Sequence, residues 1–216
     1  MKTNLTELVF ILDRSGSMAG LESDTIGGYN GMLEKQKKEA GEVKVTTVLF
    51  DDYFEVLHDR IDLKELAPIT EEDYFVRGST ALLDAVGKTI DKVGNGQKHT
   101  KEQYRADKVL FVITTDGMEN ASHEYSYDRI KKMIIHQKEV YHWEFLFLGA
   151  NIDAIETAGR FGIDSNRAVN YCADQAGTKL NYEAVSQTVS NFRMKKAIND
   201  NWKEEIERDH SERGKK

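Results

Sequence analysis

Five apolar residues, Leu8-Val9-Phe10-Ile11-Leu12, run without a break into Asp13-Arg14-Ser15-Gly16-Ser17. A continuous apolar run of this length, in the stretch 5–12, is expected as a strand covered on both faces rather than on one. Such a strand needs a layer on each side of its sheet. The abrupt switch to polar residues then places one carboxylate and two hydroxyls at the strand's tip.

The rest of the chain repeats the theme. Ile26, Tyr29, Leu33 and Gln36 recur at helical spacing, and Gly27, Gly28 and Gly31 on that helix are read as permitting close approach to the sheet. Residues 43–50 and 53–57 read as strands. The Asp51-Asp52 link between them is too short for a parallel crossover, so an antiparallel edge hairpin is expected. Leu82, Leu83, Val86, Ile90 and Val93 form an amphipathic stripe with Thr80 as its cap. Residues 94–107 are polar, carry Lys98, Lys101 and Arg105, and are expected as an exposed loop.

Further strands are expected at 109–114, 143–148 and 168–171, and helices after Ser126, after Asp153 (with Glu156 as a capping box) and over 180–194. The fold class predicted is therefore α/β: a doubly wound, mostly parallel sheet with one antiparallel edge strand and helices on both faces. The domain is drawn as 1–195. Residues 196–216 form a charged tail in which Ile198, Trp202 and Ile206 fall at i, i+4, i+8, so that a solvated helix, a docked helix and a frayed end all remain open.

Composition narrows the function classes. The chain has 216 residues, enough for one core without disulfides or metals. A net charge of −7 argues against a general nucleic-acid binder. Cys172 is the only cysteine and is expected as a small buried residue near a strand end. No apolar run approaches the roughly 18–20 residues of a membrane span. With no visible signal segment, the cytoplasm is the expected location.

Two more segments carry oxygen donors at turns: Gly78-Ser79-Thr80, and Asp116-Gly117 after the apolar run 109–115. Together with the first loop they offer only oxygen ligands, as a hard divalent cation requires. The set Asp13, Ser15, Ser17, Thr80 and Asp116 resembles the metal-ion-dependent adhesion site of the von Willebrand factor A-type domain at every position. The resemblance spans about residues 5–194, and the chain looks like the stand-alone intracellular bacterial members.

It implies that Ser15, Ser17 and one of Thr80 or Asp116 hold the ion directly, while Asp13 and the remaining group act through water or by supporting the ligands from behind. It also implies that a partner's Asp or Glu completes the shell. Mg²⁺ is expected first, then Mn²⁺, then Ca²⁺. Two carboxylates only neutralise a dication, so the ion stays electrophilic. Asp84 is a candidate for orienting the site loop, and Arg14, Met18, Glu119, Asn120 and Asn151 are candidates for its rim.

The function expected is a metal-dependent protein-interaction module that is not an enzyme, with no nucleic-acid or membrane partner and an open oligomeric state. Two alternatives stand beside it. One is a metal-dependent phosphohydrolase using Glu119 or His123 as base; against it, Ser15 occupies the place where a haloacid-dehalogenase-like enzyme needs its second Asp. The other is a metal-free scaffold.

Overall fold

The computed structural model describes residues 4–194 and 196–213, and its centre is the strand β1 (Leu5–Asp13), buried along its whole length. Leu8, Phe10 and Leu12 point to one face of the sheet and Val9 and Ile11 to the other, as the two-residue period of a strand requires. Each set joins its own apolar cluster, so both faces need a helical cover.

That cover comes from the alternation of elements. After β1 come α1 (Glu22–Lys37), β2 (Glu42–Phe50), β3 (Phe54–Asp62), α2 (Leu82–His99) and β4 (Lys108–Thr115). Then follow α3 (Tyr127–Tyr141), β5 (Glu144–Gly149), α4 (Ala154–Phe161), β6 (Ala168–Asn170), α5 (Gln175–Arg193) and α6 (Glu204–Arg213). The strand order is β3-β2-β1-β4-β5-β6, all parallel except β3, which pairs antiparallel with β2. The expected edge hairpin is therefore present. Helices α1, α5 and α6 cover one face, and α2, α3 and α4 the other.

Order along the sheet reverses between β1 and β4. In a doubly wound sheet the crevice at the carboxyl ends of those two strands is where ligands collect. Leu12 pairs with Thr114, so the two strands end side by side. Asp13 closes one and Asp116 follows the other.

Several local expectations need correcting. Gly28 serves helix–helix packing rather than the sheet: a Cβ there would lie 2.2 Å from the Tyr182 ring of α5, while Gly27 and Gly31 face open space. The polar stretch 94–107 is not one loop, because α2 continues to His99. Gln97 secures that last turn by hydrogen-bonding the buried Glu7 and accepting from the Ala106 amide at 3.2 Å. The last long helix starts at Gln175, five residues before its apolar stripe, because Asp174 caps it through the Gly177 amide at 2.8 Å. Cys172 is half-buried rather than buried.

The charged segment after 195 packs onto the same core. Ile198 and Ile206 are buried in the cluster under α1 and α5. The Trp202 indole donates to the Asn166 carbonyl at 2.8 Å, and Arg213 closes on Asp174 at 2.5 Å. Lys195, at the drawn boundary, and residues 214–216 of the tail lie outside the described residues.

Candidate metal centre

Three turns bring the oxygen donors together. The loop after β1 folds back so that the Ser15 amide donates to Asp13 Oδ1 at 2.7 Å, and Ser15 Oγ lies 3.1 Å from Ser17 Oγ. Thr80 Oγ1 donates to Ser15 Oγ at 3.0 Å. The expected capping role of Thr80 is therefore wrong: α2 starts at Leu82, and its first amides go instead to Glu119 and Ser122. Freed from the helix, the Thr80 hydroxyl joins the two serines.

Backbone clamps hold this arrangement. The Thr80 amide donates to Asn120 Oδ1 at 2.9 Å and the Asn120 amide returns a bond to the Thr80 carbonyl at 3.1 Å. On the other side, the Arg77 amide donates to the Arg14 carbonyl and the Gly16 amide to the Gly78 carbonyl, at 2.9 and 3.1 Å. Gly78 sits at φ +68°, and a Cβ on it would lie 2.5 Å from the Asp52 carboxylate, so that turn needs glycine.

Gly117 marks the space inside the ring of donors. A Cβ there would lie 2.8 Å from Thr80 Oγ1, 2.9 Å from Ser17 Oγ and 3.6 Å from Ser15 Oγ. The three hydroxyls thus converge on a cradle kept open by a missing side chain.

The charge balance is unusual for a buried cluster. Asp13 and Asp116 are 1% and 2% exposed, and neither has a cation bonded to it among the described residues. Burial pushes the Asp13 carboxyl above its ordinary range; hydrogen bonds from Ser15 and Thr115 oppose this, and the neighbouring Asp116 adds to it. Burial likewise raises Asp116, against hydrogen bonds from Ser17 and Asn151, and its Oδ1 has no hydrogen-bond partner. Arg14, the one cation in the first loop, does not help. It turns away to Asp51 (2.8 Å) and Glu55 (2.6 Å).

Two uncompensated carboxylates, three converging hydroxyls and an orphaned buried oxygen fit a hard divalent cation. Among the described residues no three His, Cys, Asp or Glu side chains gather as a metal cluster. A site here is accordingly hydroxyl-rich, built from oxygen donors without nitrogen or sulfur.

No protein-family model matches the sequence, and no curated relative does. Solved structures do match. The von Willebrand factor type A structure from Catenulispora acidiphila aligns at TM-score 0.59 and 11% identity, over 86% of this chain and 42% of that one. The chain has the von Willebrand factor A-type (vWA) fold. The manganese-loaded TRAP protein of Plasmodium vivax aligns at TM-score 0.58 and 19% identity, over 83% of this chain and 73% of that one. The PilB minor pilin of Streptococcus sanguinis aligns at TM-score 0.61 and 11% identity, over 89% of this chain. The chain spans 62% of the pilin's length.

Within the vWA frame, the rim differs from expectation. Arg14 and Met18 are buried and do not reach the rim. Asn151 is exposed, with φ +54°, and borders a cleft of about 380 Å³ shared with Ser17, Asp116, Asp174 and Gln175. Met118, not foreseen, is 72% exposed directly after the site glycine.

Glu119 is committed elsewhere. Its carboxylate accepts from the Leu83, Ala121 and Ser122 amides and from the Ser122 hydroxyl, at 2.8–3.0 Å. A carboxylate so occupied organises its loop and is poorly placed to take a proton from water. Asp84 does the same for the following residues, accepting from the His123, Glu124 and Tyr125 amides at 3.0, 2.9 and 2.9 Å.

Thr115 was also missed. Its hydroxyl donates to Asp13 Oδ2 at 2.5 Å from a fully buried position. As the last residue of an apolar strand it carries no separate signal in the sequence. Among the described residues, no helix is long and apolar enough to cross a membrane.

Proposed function

We propose that Asp13, Ser15, Ser17, Thr80 and Asp116 hold a divalent cation, Mg²⁺ before Mn²⁺ and Ca²⁺, and that the loaded site binds an acidic side chain of a partner protein. The observation that carries this reading is the cradle over Gly117. There three hydroxyls converge beside two buried carboxylates that have no countercharge, one of them with an orphaned oxygen. The manganese carried by a protein of the same fold supports a divalent ion in general.

When bound, the ion supplies Lewis acidity at an open coordination position. The chain's own residues supply orientation. Thr115 and the Ser15 amide hold the Asp13 carboxylate, the Asn120 clamp fixes Thr80, and the absent side chain at Gly117 leaves room. Two carboxylates against a dication leave no excess negative charge to repel an incoming one. Hydrolysis through Glu119 has no comparable support, since that carboxylate is engaged by three backbone amides and the Ser122 hydroxyl.

Titration calorimetry with Mg²⁺ and with Mn²⁺, on wild type and Asp116→Ala, tests the ion. Heat in the first and none in the second is expected. Water-proton relaxation with Mn²⁺ tests the open position. Bound Mn²⁺ should enhance relaxation, and an aspartate-containing peptide should reduce the enhancement by displacing water. Absence of any metal-dependent heat would sink the reading.

A further inference from the structure

Beside the candidate metal centre lies a second feature that metal binding does not use. Tyr53, in the turn after β2, and Phe75, in the connection before Gly78, are 69% and 42% exposed. Arg77 stands between their rings, its guanidinium carbon 5.7 Å from the Tyr53 centroid and 5.2 Å from that of Phe75. Beneath, the buried Arg14 guanidinium lies 5.4 Å from the Phe75 ring. The result is a stack of alternating cations and rings whose outer half is open to solvent.

Asp51 locks the stack in place. Fully buried, it accepts from Arg14 Nε at 2.8 Å, Arg77 Nε at 2.7 Å and the Tyr53 amide at 2.7 Å. Arg77 is thus hydrogen-bonded through its inner nitrogen, with the half-exposed Glu55, which is bonded to Arg14 at 2.6 Å, as a second acid near its charge. Among the described residues, neither of its terminal nitrogens has a hydrogen bond, and its side chain is 42% exposed. Asp52, the exposed acid of the same turn, is engaged by the Ser79 amide at 2.9 Å. An Arg fork fixed from behind and open in front matches a carboxylate's two oxygens, and little side-chain entropy remains to be lost on binding.

The stack is continuous with the metal site. Arg77 and Gly78 are bonded to the loop of Arg14 and Gly16, and only Gly78 and Ser79 separate Arg77 from Thr80. Exposed Tyr, Phe and Arg side chains are also the residue types that anchor protein interfaces.

We infer that Arg77, framed by Tyr53 and Phe75, is a second anchor for the partner, which is an acidic protein segment presenting two carboxylates: one for the metal, the other for the Arg77 fork. This rests on the metal-dependent reading above and names its partner class.

The test uses a library of random peptides displayed on phage and selected on the Mg²⁺-loaded protein. Enriched peptides should carry two acidic residues at a constant spacing. One of them, synthesised and labelled, is then followed by fluorescence anisotropy. Arg77→Ala should weaken it about tenfold to a hundredfold, and Tyr53→Ser by a smaller factor. A version with the second acid replaced by Gln should bind wild type and Arg77→Ala alike.

Melting curves check that both variants fold, and Tyr53→Ser, changed at an exposed ring, keeps the test open if Arg77→Ala does not. Enrichment of single-acid peptides, failure to enrich any, or equal binding to wild type and both variants overturns the inference. Abolition by chelator and by Asp116→Ala reads the metal site separately. Binding that survives chelator but falls with Arg77→Ala would sink the metal reading and leave the Arg77 anchor standing.

Discussion

Thr115 Oγ1 donates to Asp13 Oδ2 across 2.5 Å, tying the ends of two neighbouring parallel strands at the point where sheet order reverses. With the Ser15 amide on the other oxygen, both oxygens of Asp13 are held. Groups that orient a ligand in this way commonly account for about ten- to a hundredfold in metal affinity. Thr115→Val keeps the shape and deletes the hydroxyl. It should lower Mg²⁺ and Mn²⁺ affinity by about tenfold in calorimetry while leaving the far-UV circular dichroism unchanged. An affinity equal to wild type would remove Thr115 from the site.

Gly117→Ala separates folding from metal binding. The backbone there lies outside the left-handed region, so alanine brings no conformational strain. The three atoms nearest the new methyl are hydroxyl oxygens at side-chain ends, and the closest two, on Thr80 and Ser17, must shift to admit it. Shifted hydroxyls no longer converge. The variant should melt within a few degrees of wild type, but Mn²⁺ should no longer raise its melting temperature. A preserved Mn²⁺ shift would show that the hydroxyls are not ligands.

Much of this was legible in residue order. The run into Asp13 and the later Thr80 and Asp116 marked three strand ends or turns, and the short Asp51-Asp52 link marked the antiparallel edge. What escaped were contacts between distant residues. Thr80 looks like a helix cap because the amides of α2 are capped by Glu119 and Ser122, more than thirty positions later. Arg14 looks like a rim residue because Asp51 and Glu55, which draw it inward, belong to another turn and another strand. Local pattern reports on a residue's own turn and is silent on which side chains meet across the sheet.

Asp84 fixes the three residues after the Glu119–Ser122 turn to the first turn of α2. Its Oδ1 accepts the Glu124 and Tyr125 amides and its Oδ2 the His123 amide. Asp84→Ala leaves three amides without their partner and should cost about 2 kcal/mol in urea denaturation. Asp84→Asn keeps the oxygen that takes two of them and should cost about half as much. Equal costs for the two variants would mean that charge, not bond count, sets the effect.

Ile206 of α6 is 1% exposed and packs in the cluster beneath α1 and α5. If α6 folds with the sheet, Ile206→Ala should destabilise the whole chain by roughly 2–5 kcal/mol in a single unfolding transition. A separately melting helix would instead give an unchanged main transition. Fluorescence-detected urea denaturation distinguishes the two.

Asp51 makes the Arg14–Arg77 stack sensitive to acid. Burial alone would raise its carboxyl, but hydrogen bonds from Arg77, the Tyr53 amide and Arg14 outweigh burial and hold it below the ordinary carboxylate range. A folded value below the unfolded one, about 3.9, means that the unfolded chain binds the proton first as pH drops. The contribution of Asp51 is therefore complete above the unfolded value and is lost as pH falls through the folded one. Asp51→Asn should lose roughly 3 kcal/mol at pH 7, because two guanidinium groups lose their shared carboxylate. The gap between the variant and wild type should close in strongly acidic buffer as the wild-type carboxyl itself becomes neutral. Urea midpoints for both proteins across that range measure the gap. A gap that stayed constant to the acid limit would mean that the Asp51 charge does not hold the stack.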